Sequence, residues 1–463
     1  MTRTRDVLPS LALAGAILVA GGTAAGAQDA APAGRVLTFG ISSDFRVSDN
    51  LNLDLVSPGT ATVWDTRLSF GFLTETRTSR FALGLDGVVR LADVPGADTA
   101  VRLDDPGLTL GYSREAANSR LSFDAELRRT NLDFIDPLDL ADIDPTDLVT
   151  DTGRREIRRA TLAFETGIND PLGFLVELDH SERLYTGTTD PELFDRRTDT
   201  VEATARMRLS PVAEGRVTAA LEEYRAEDAP GTERTTRSLS LGLSYQVAPD
   251  TTLDAEIGSE EIEERLAVPP GTTTDRGAFG TLALTRRLPN GTLGLTLERS
   301  FSPDGARTTL SASRALDLPA GSLAFSLGAS RGERGDTEAV ASLDYLQRLP
   351  DGEFTAALAR EVSTDDDGED VLTTRAELGY SHRLTPISSV AFGLDHVETD
   401  DLGSGTVTPA DRSSFTATYT HALTRDWDLS AGYEYRRRST TGGGDAHSNT
   451  VFVTLERDFR FRP

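Results

Sequence analysis

From about residue 35 onward, apolar and polar residues alternate along the chain in segments of roughly ten residues, and turns separate the segments. In residues 238–247, Leu239, Leu241 and Leu243 alternate with small polar residues. Successive side chains of a β-strand leave opposite faces, so this period of two predicts strands with one apolar and one polar face. Because the pattern recurs to the end of the chain, it predicts a single antiparallel sheet that closes on itself.

The connections between the predicted strands alternate in length. The pattern predicts about 22 strands, within a range of about 20 to 24. Short turns such as 289–291 and 350–352 follow the even-numbered strands, and longer polar loops such as 47–63, 129–154 and 259–276 follow the odd-numbered ones. This parity is typical of bacterial outer-membrane barrels. The predicted fold is therefore all-β: a single antiparallel up-and-down transmembrane β-barrel without a plug domain. A soluble all-β repeat protein is the alternative.

The first residues have the organisation of a secretory signal peptide. Arg3 and Arg5 precede an apolar run at 8–20, and Ala25, Gly26 and Ala27 fit a cleavage site. The run is shorter than the ~20 residues that a spanning helix needs, although an uncleaved anchor or a buried helix is the alternative. We expect a cleaved signal peptide at 1–27, a short periplasmic lead at 28–34 and an outer-membrane barrel at 35–463. Such a lead is too short for a plug domain, which disfavours a TonB-dependent receptor.

Composition excludes several other classes. The chain has a formal net charge of −27 and no cysteine. An acidic surface of this kind repels nucleic acid, and disulfides or cysteine-based metal sites cannot form. We expect no nucleic-acid partner.

Charged residues recur on the polar face of the predicted strands. At mid-depth in lipid each would cost about 2–4 kcal/mol, so we expect them to face a polar lumen. They could select solutes in a pore, or they could only hydrate and brace a wide wall. The predicted lumen-facing residues are Asp124, Glu126, Arg128, Arg159, Glu165, Glu177, Asp179, Glu202, Arg206, Arg208, Arg375, Glu377, Glu434, Glu456 and Asp458.

Tyrosines recur on the apolar face just before the short turns. Amphipathic rings prefer the lipid–water boundary, so these residues predict a periplasmic aromatic girdle. Ordinary strand propensity of tyrosine is the alternative explanation. The predicted girdle consists of Tyr112, Tyr245, Tyr345, Tyr380 and Tyr419.

The predicted loop 129–154 is rich in aspartate. It could fold inward as an acidic constriction, or it could be a solvated outer loop. The aspartates of this candidate constriction are Asp133, Asp136, Asp139, Asp142, Asp144, Asp147 and Asp151.

No pattern of catalytic or metal-binding residues stands out. The acidic run 365–370 lacks the alternating ligand positions of a calcium loop, and the five histidines show no metal-ligand spacing. We therefore predict neither an enzyme nor a cofactor.

Two C-terminal segments carry a family resemblance. Residues 380–386 and 419–433 resemble the repeated hairpins of the beta-barrel porin 2 family, and the likeness is clearest over about residues 370–463. That family comprises bacterial outer-membrane barrels, some associated with exopolysaccharide systems. Its motifs describe hairpins, so the resemblance assigns no functional residue. Many outer-membrane barrels end on an aromatic residue, whereas here Arg462 and Pro463 follow Phe461.

Together these features predict a passive porin-like pore for small polar solutes in the bacterial outer membrane. The alternatives are a barrel component of exopolysaccharide export or another envelope-assembly system, and a surface-exposed structural or binding barrel. The expected partners are outer-membrane lipid, lipopolysaccharide and the barrel-assembly machinery. The sequence does not define an oligomeric state.

Overall fold

A computed structural model describes residues 34–96, 99–135, 152–191, 193–333, 335, 337–364, 370–402, 410–440 and 443–462. The expected signal peptide at 1–27 lies outside these ranges. Within them, no helix is both long enough and apolar enough to cross a membrane.

The described residues form 22 β-strands and one short 3-10 helix, Leu132–Phe134. The strands are β1 Gly34–Ser48, β2 Ala61–Glu75, β3 Ser79–Asp93, β4 Ala100–Glu115, β5 Ser119–Asn131, β6 Arg154–Thr166, β7 Leu172–Thr186, β8 Arg196–Ser210, β9 Ala213–Ala226, β10 Thr232–Ala248, β11 Thr251–Ala267, β12 Pro270–Leu288, β13 Gly291–Ser302, β14 Gly305–Leu318, β15 Gly321–Arg331, β16 Thr337–Leu349, β17 Gly352–Thr364, β18 Asp370–Thr385, β19 Ser388–Asp401, β20 Ala410–Ala422, β21 Asp428–Thr440 and β22 Gly444–Phe461.

The sheet closes into a barrel. Each strand pairs antiparallel with the next along the chain, as β1 does with β2, and the last strand, β22, pairs antiparallel with the first over Leu37–Ser48. Closure removes the two free edge strands that an open sheet would have. The prediction of an all-β antiparallel barrel with about 22 strands is confirmed.

The two faces of the wall differ as the alternation requires. Outward-facing apolar side chains such as Leu241, Leu295 and Leu310 are 59%, 48% and 50% exposed. Along the same stretch the opposite face carries charged and small residues, which line up across strands as Glu126 does with Arg159. A barrel with a polar interior and an apolar exterior has this distribution.

The strands extend beyond the apolar band at the end where the odd-numbered strands finish, which we call the loop end. They contain between 11 and 19 residues, more than the 9–11 or so of a minimal spanning strand. The polar stretch 259–276, which the sequence predicts as a loop, is instead the paired ends of β11 and β12, joined through Val268 and Pro269. Cross-strand pairs such as Arg237 with Glu261 (3.2 Å) stabilise its polar side chains there.

At the loop end the connections fold onto the inner face and bury part of it. Leu51 from the β1–β2 connection packs with Ala61, Val63 and Ala92, and Val63 is only 2% exposed. A second small core joins Leu132 to the β7–β8 connection. These contacts place side chains from β2 to β6 at the mouth of the lumen.

Candidate ligand site at the loop end of the barrel

The site begins with a row of inward-facing residues on three consecutive strands. In the register of the sheet, Asp65 of β2 lies opposite Arg90 of β3, and Arg90 lies opposite Arg102 of β4. Alternation puts all three on the inner face, where the in-folded connections leave Arg90 only 4% exposed. A buried guanidinium requires paired carboxylates, and the neighbouring positions supply them.

Three aspartates surround the Arg90 guanidinium. Its Nε donates to Oδ1 of Asp65 at 2.8 Å, and its Nη2 donates to Oδ2 of Asp65 at 3.0 Å and to Oδ2 of Asp105 at 2.9 Å. Asp104 is further away, with its Oδ2 at 3.7 Å from Nη1. The bidentate pairing fixes the plane of the guanidinium.

An irregularity in β4 brings two consecutive aspartates into this network. The register shifts opposite 86–88, and Asp105 adopts a φ of 52°, in the left-handed region. Asp105 therefore turns toward Arg90 although Asp104 already occupies the inward position. Asn131 joins both carboxylates: its backbone N–H donates to Asp105 at 2.7 Å and its side-chain amide donates to Asp104 at 3.2 Å.

Asn131 also begins the 3-10 helix and so positions an aromatic ring. Its side-chain oxygen accepts a hydrogen bond from the backbone N–H of Asp133 at 3.1 Å. The following residue, Phe134, lies with its ring centroid 4.4 Å from the Arg90 guanidinium carbon, a cation–π contact. The helix thus covers one side of the arginine.

A cavity of about 260 Å³ lies beside this pair. It has guanidinium groups, a carboxyl group, an aromatic ring and small apolar side chains in its wall. Its lining residues are Asn52, Arg90, Ala92, Val94, Pro95, Gly96, Arg102, Asp133, Phe134 and Thr152.

Two polar atoms of the lining residues are buried without a hydrogen-bond partner: Nη1 of Arg90 and Oδ1 of Asp133. Burial raises the pKa of Asp133, while the backbone of Gly153 and the charge of Arg102 act in the opposite direction. An unsatisfied buried donor is costly unless a bound molecule or water completes it. The cavity therefore suits a ligand that presents a hydrogen-bond acceptor to Arg90.

The predicted lumen-facing residues all occupy the inner face of the sheet, and some of them meet. Arg128 Nε lies 3.3 Å from Glu126, Arg159 lies 3.8 Å from the same carboxylate, and Arg206 lies 2.9 Å from Glu165. Glu177 lies opposite Glu202 in the register, with Asp179 two residues further along β7. The remaining predicted residues also lie on the inner face, Asp124 and Arg208 next to these pairs on β5 and β8 and the others on β18, β21 and β22: Asp124, Arg208, Arg375, Glu377, Glu434, Glu456 and Asp458.

Some ion pairs on the inner face join two strands that are not neighbours. The side chain crosses the strand between them at a glycine, which has no side chain in the way. Arg216 of β9 reaches Glu256 of β11 at 2.8 Å, and the strand between them carries Gly242 at that level. A Cβ on Gly242 would lie 2.3 Å from Nε of Arg216. Arg206 crosses β7 at Gly173 in the same way.

The predicted girdle tyrosines lie on the outer face toward the short-turn end. Tyr380 and Tyr419 are 36% and 43% exposed and stack on His382 and His421 respectively, with centroids 6.2 Å apart in both pairs. Tyr345 contacts Phe354, while Tyr112 and Tyr245 pair with apolar neighbours across the sheet. Their placement at the lipid boundary stays a prediction.

Of the seven aspartates of the candidate constriction, only Asp133 belongs to the described residues, and it lines the cavity. The other six aspartates, from Asp136 to Asp151, lie outside them. Sequence reasoning missed Arg90, Arg102 and Phe134. The two arginines follow the inward alternation of their strands and could have been included, whereas the position of Phe134 depends on a loop that folds back.

Comparisons with known proteins show the fold. No protein-family model and no curated protein match the chain. Among solved structures, the ferric-catecholate import receptor Fiu from E. coli K12 has a TM-score of 0.58 at 12% identity, covering 91% of this chain and 81% of that one. The FrpB iron transporter from Neisseria meningitidis has a TM-score of 0.56 at 9% identity (92% and 81%). The ferric enterobactin receptor of Pseudomonas aeruginosa has a TM-score of 0.53 at 12% identity (92% and 82%).

These comparisons correct the functional prediction. The prediction of a passive porin-like pore is wrong, because the solved barrels that share this fold are receptors and transporters for specific iron-containing ligands. The chain has the fold of a bacterial outer-membrane receptor barrel.

Proposed function

We propose that this chain is an outer-membrane receptor that binds a small anionic ligand at its loop end, an iron chelate with aromatic oxygen donors being the leading class. The observation that carries the proposal is the Nη1 of Arg90, which is buried without a hydrogen bond and has only the longer 3.7 Å contact to Asp104, beside the ring of Phe134 and the guanidinium of Arg102. Guanidinium groups bind anionic oxygens with directed hydrogen bonds, and an aromatic wall suits a flat ring.

The dimensions of the cavity limit how such a ligand could bind. About 260 Å³ is smaller than the roughly 300–1,000 Å³ of a typical drug-sized site. One catechol-sized ring fits this volume, whereas a complete chelate does not. The ligand would insert one arm between Phe134 and Arg102 and leave its metal centre in the lumen.

Outer-membrane location is part of the proposal. The exposed apolar outer face and the outer-face tyrosines support it, with lipid, lipopolysaccharide and the barrel-assembly machinery as partners. Cleavage of residues 1–27 as a signal peptide belongs to the same proposal.

The test is a fluorescence titration of the purified barrel in detergent with a ferric tris-catecholate and, separately, a ferric tris-hydroxamate. We expect saturable binding of the catecholate. Phe134→Ala and Arg102→Gln should each weaken it about tenfold, because each removes one contact worth roughly 1–2 kcal/mol. Arg375→Gln, which changes another inner-face arginine outside the cavity, is the matched control. Absence of saturable binding for both chelates would overturn the receptor proposal, and wild-type affinity in both cavity variants would overturn the site.

A further inference from the structure

A second charged cavity lies on the outer face of the barrel. It has a volume of about 230 Å³ and is lined by Arg299, Ala306, Thr308, Arg331, Gly332 and Glu333. It lies across β13, β14 and β15, away from the β2–β6 site described above. Arg299, Thr308 and Arg331 belong to the outer face because they continue the alternation of the exposed Leu297, Leu310 and Leu327 on the same three strands.

The register aligns its three central side chains in one row. Arg299 of β13 lies opposite Thr308 of β14, and Thr308 lies opposite Arg331 of β15. Neighbouring strands are about 4.8 Å apart, so the two arginines begin about 10 Å from each other with a hydroxyl between them. Nη1 of Arg299 already leans over this gap and donates to the Thr308 hydroxyl at 3.4 Å.

These arginines differ from the other outer-face arginines at this end of the barrel. Arg158 is held by Glu156 at 2.6 Å and Glu182 at 2.8 Å, and Arg276 is held by Glu261 at 2.5 Å. Among the described residues, Arg299 and Arg331 form no ion pair with a carboxylate.

The one carboxylate in the cavity wall is already engaged. Oε2 of Glu333 accepts a hydrogen bond from the backbone N–H of Ala306 at 3.0 Å. This contact ties the carboxylate to a backbone N–H at the start of β14 rather than to either arginine. The row Arg299–Thr308–Arg331 therefore presents two guanidinium groups and one hydroxyl group to the outside.

On the side of this row that faces away from the loop end, the same three strands carry the apolar band. Leu297, Leu310 and Leu327 are 43%, 50% and 66% exposed. A molecule bound to the arginines would lie with any hydrocarbon part against these leucines. Charge above and apolar surface below match a lipid whose phosphate sits at the membrane boundary.

We propose that Arg299, Thr308 and Arg331 form a binding site for the phosphorylated headgroup of an outer-leaflet lipid, with the acyl chains lying on Leu297, Leu310 and Leu327. Arginine suits this ligand because its planar fork of donors matches phosphate oxygens. The proposal uses the membrane location argued above but does not require the loop-end cavity to bind anything.

The experiment measures lipid retention by native mass spectrometry of the full barrel released from detergent, after incubation with bis-phosphorylated lipid A. The expected result is a stable one-to-one adduct. Loss of one charge-assisted contact should weaken it about tenfold in Arg299→Gln or Arg331→Gln, and the double variant should lose it. Arg286→Gln is the matched control, since Arg286 is an exposed arginine whose Nε bonds Asp250 at 3.0 Å.

Two further arms distinguish the source of the phosphate. Lipid A without its phosphates should fail to form the adduct, and inorganic phosphate should not displace bound lipid A at equal concentration. An adduct that survives the double variant overturns the site. Inorganic phosphate that competes as well as lipid A overturns the lipid assignment, and an equal loss in Arg286→Gln shows non-specific charge binding and also overturns the proposal. Heat-modifiable migration on gels verifies that each variant is folded.

Discussion

Arg90 and Asp65 form a bidentate ion pair at the mouth of the barrel, with contacts of 2.8 and 3.0 Å between neighbouring strands. The arginine is only 4% exposed and also neutralises Asp105. The pair therefore joins β2, β3 and β4 on the inner face and supports the wall of the candidate ligand site.

Replacement of Arg90 by leucine should destabilise the barrel strongly. Removing one partner of a buried ion pair leaves the other charges uncompensated, which costs about 3–5 kcal/mol. The measurement is the temperature at which the folded, fast-migrating band disappears on unheated gels. Arg286→Leu, which breaks an exposed pair, should leave that temperature unchanged. If the folded band of Arg90→Leu disappears at the same temperature as that of the wild type, the buried network does not stabilise the fold.

Protonation of Asp133 should make the stability of the barrel depend on pH. Burial raises the pKa of this carboxyl in the folded state above its unfolded value. The folded state therefore holds the proton more tightly than the unfolded state does. The stabilisation that this proton gives to the folded barrel is complete below the ordinary aspartate pKa of ~4, and it is lost as pH rises through the raised pKa. Urea-unfolding midpoints across this window should fall for the wild type relative to Asp133→Asn, whose side chain does not titrate. A constant difference between the two proteins across the window would contradict the burial of Asp133.

One turn glycine should tolerate no side chain. Gly291 at the β12–β13 turn has a φ of 123°, and a Cβ there would lie 2.1 Å from the backbone oxygen of Ala315. A rigid backbone atom cannot move aside as a flexible side chain can. Gly291→Val should therefore cost at least about 1–3 kcal/mol and lower the yield of folded barrel.

Gly393 provides the matched control for that turn. It lies within β19, its φ is outside the left-handed region, and a Cβ there would meet nothing within 4 Å. Gly393→Ala should refold in detergent with the wild-type yield. Equal yields from Gly393→Ala and Gly291→Val would show that the turn geometry does not limit folding.

The sequence predicts the wall of the barrel well because every strand repeats the same local rule. Alternation at Leu239, Leu241 and Leu243 is enough to assign faces, and turn chemistry at 289–291 marks a reversal of the chain. The charged stretch 259–276 misleads because polar strand ends beyond a membrane have the same composition as a loop. The ion pair between Arg237 and Glu261 shows that this stretch is strand rather than loop. Such a pair can be foreseen only when the register of the two strands is known.

The candidate site could be predicted only in part, because its parts meet through tertiary contacts. Arg90 and Arg102 follow the alternation, but nothing local indicates that Asp105 adopts a positive φ and turns inward beside Asp104. The ring of Phe134 reaches Arg90 from 44 positions later in the chain (134 minus 90). Such contacts have no periodic signature in the sequence.

The two tryptophans allow a direct test of which face of the barrel contacts lipid. Trp64 lies on the outer face, is 51% exposed and donates from its indole nitrogen to Ser43 at 2.7 Å. Trp427 belongs to the β20–β21 turn, where the Arg457 guanidinium carbon lies 5.5 Å from its ring centroid. Because indole fluorescence is quenched by bromine at close range, vesicles with brominated acyl chains should quench Trp64. Trp64→Phe should remove most of the quenching, whereas Trp427→Phe should retain it. Quenching that survives in Trp64→Phe at the wild-type level would mean that the face assigned here to lipid does not touch the acyl chains.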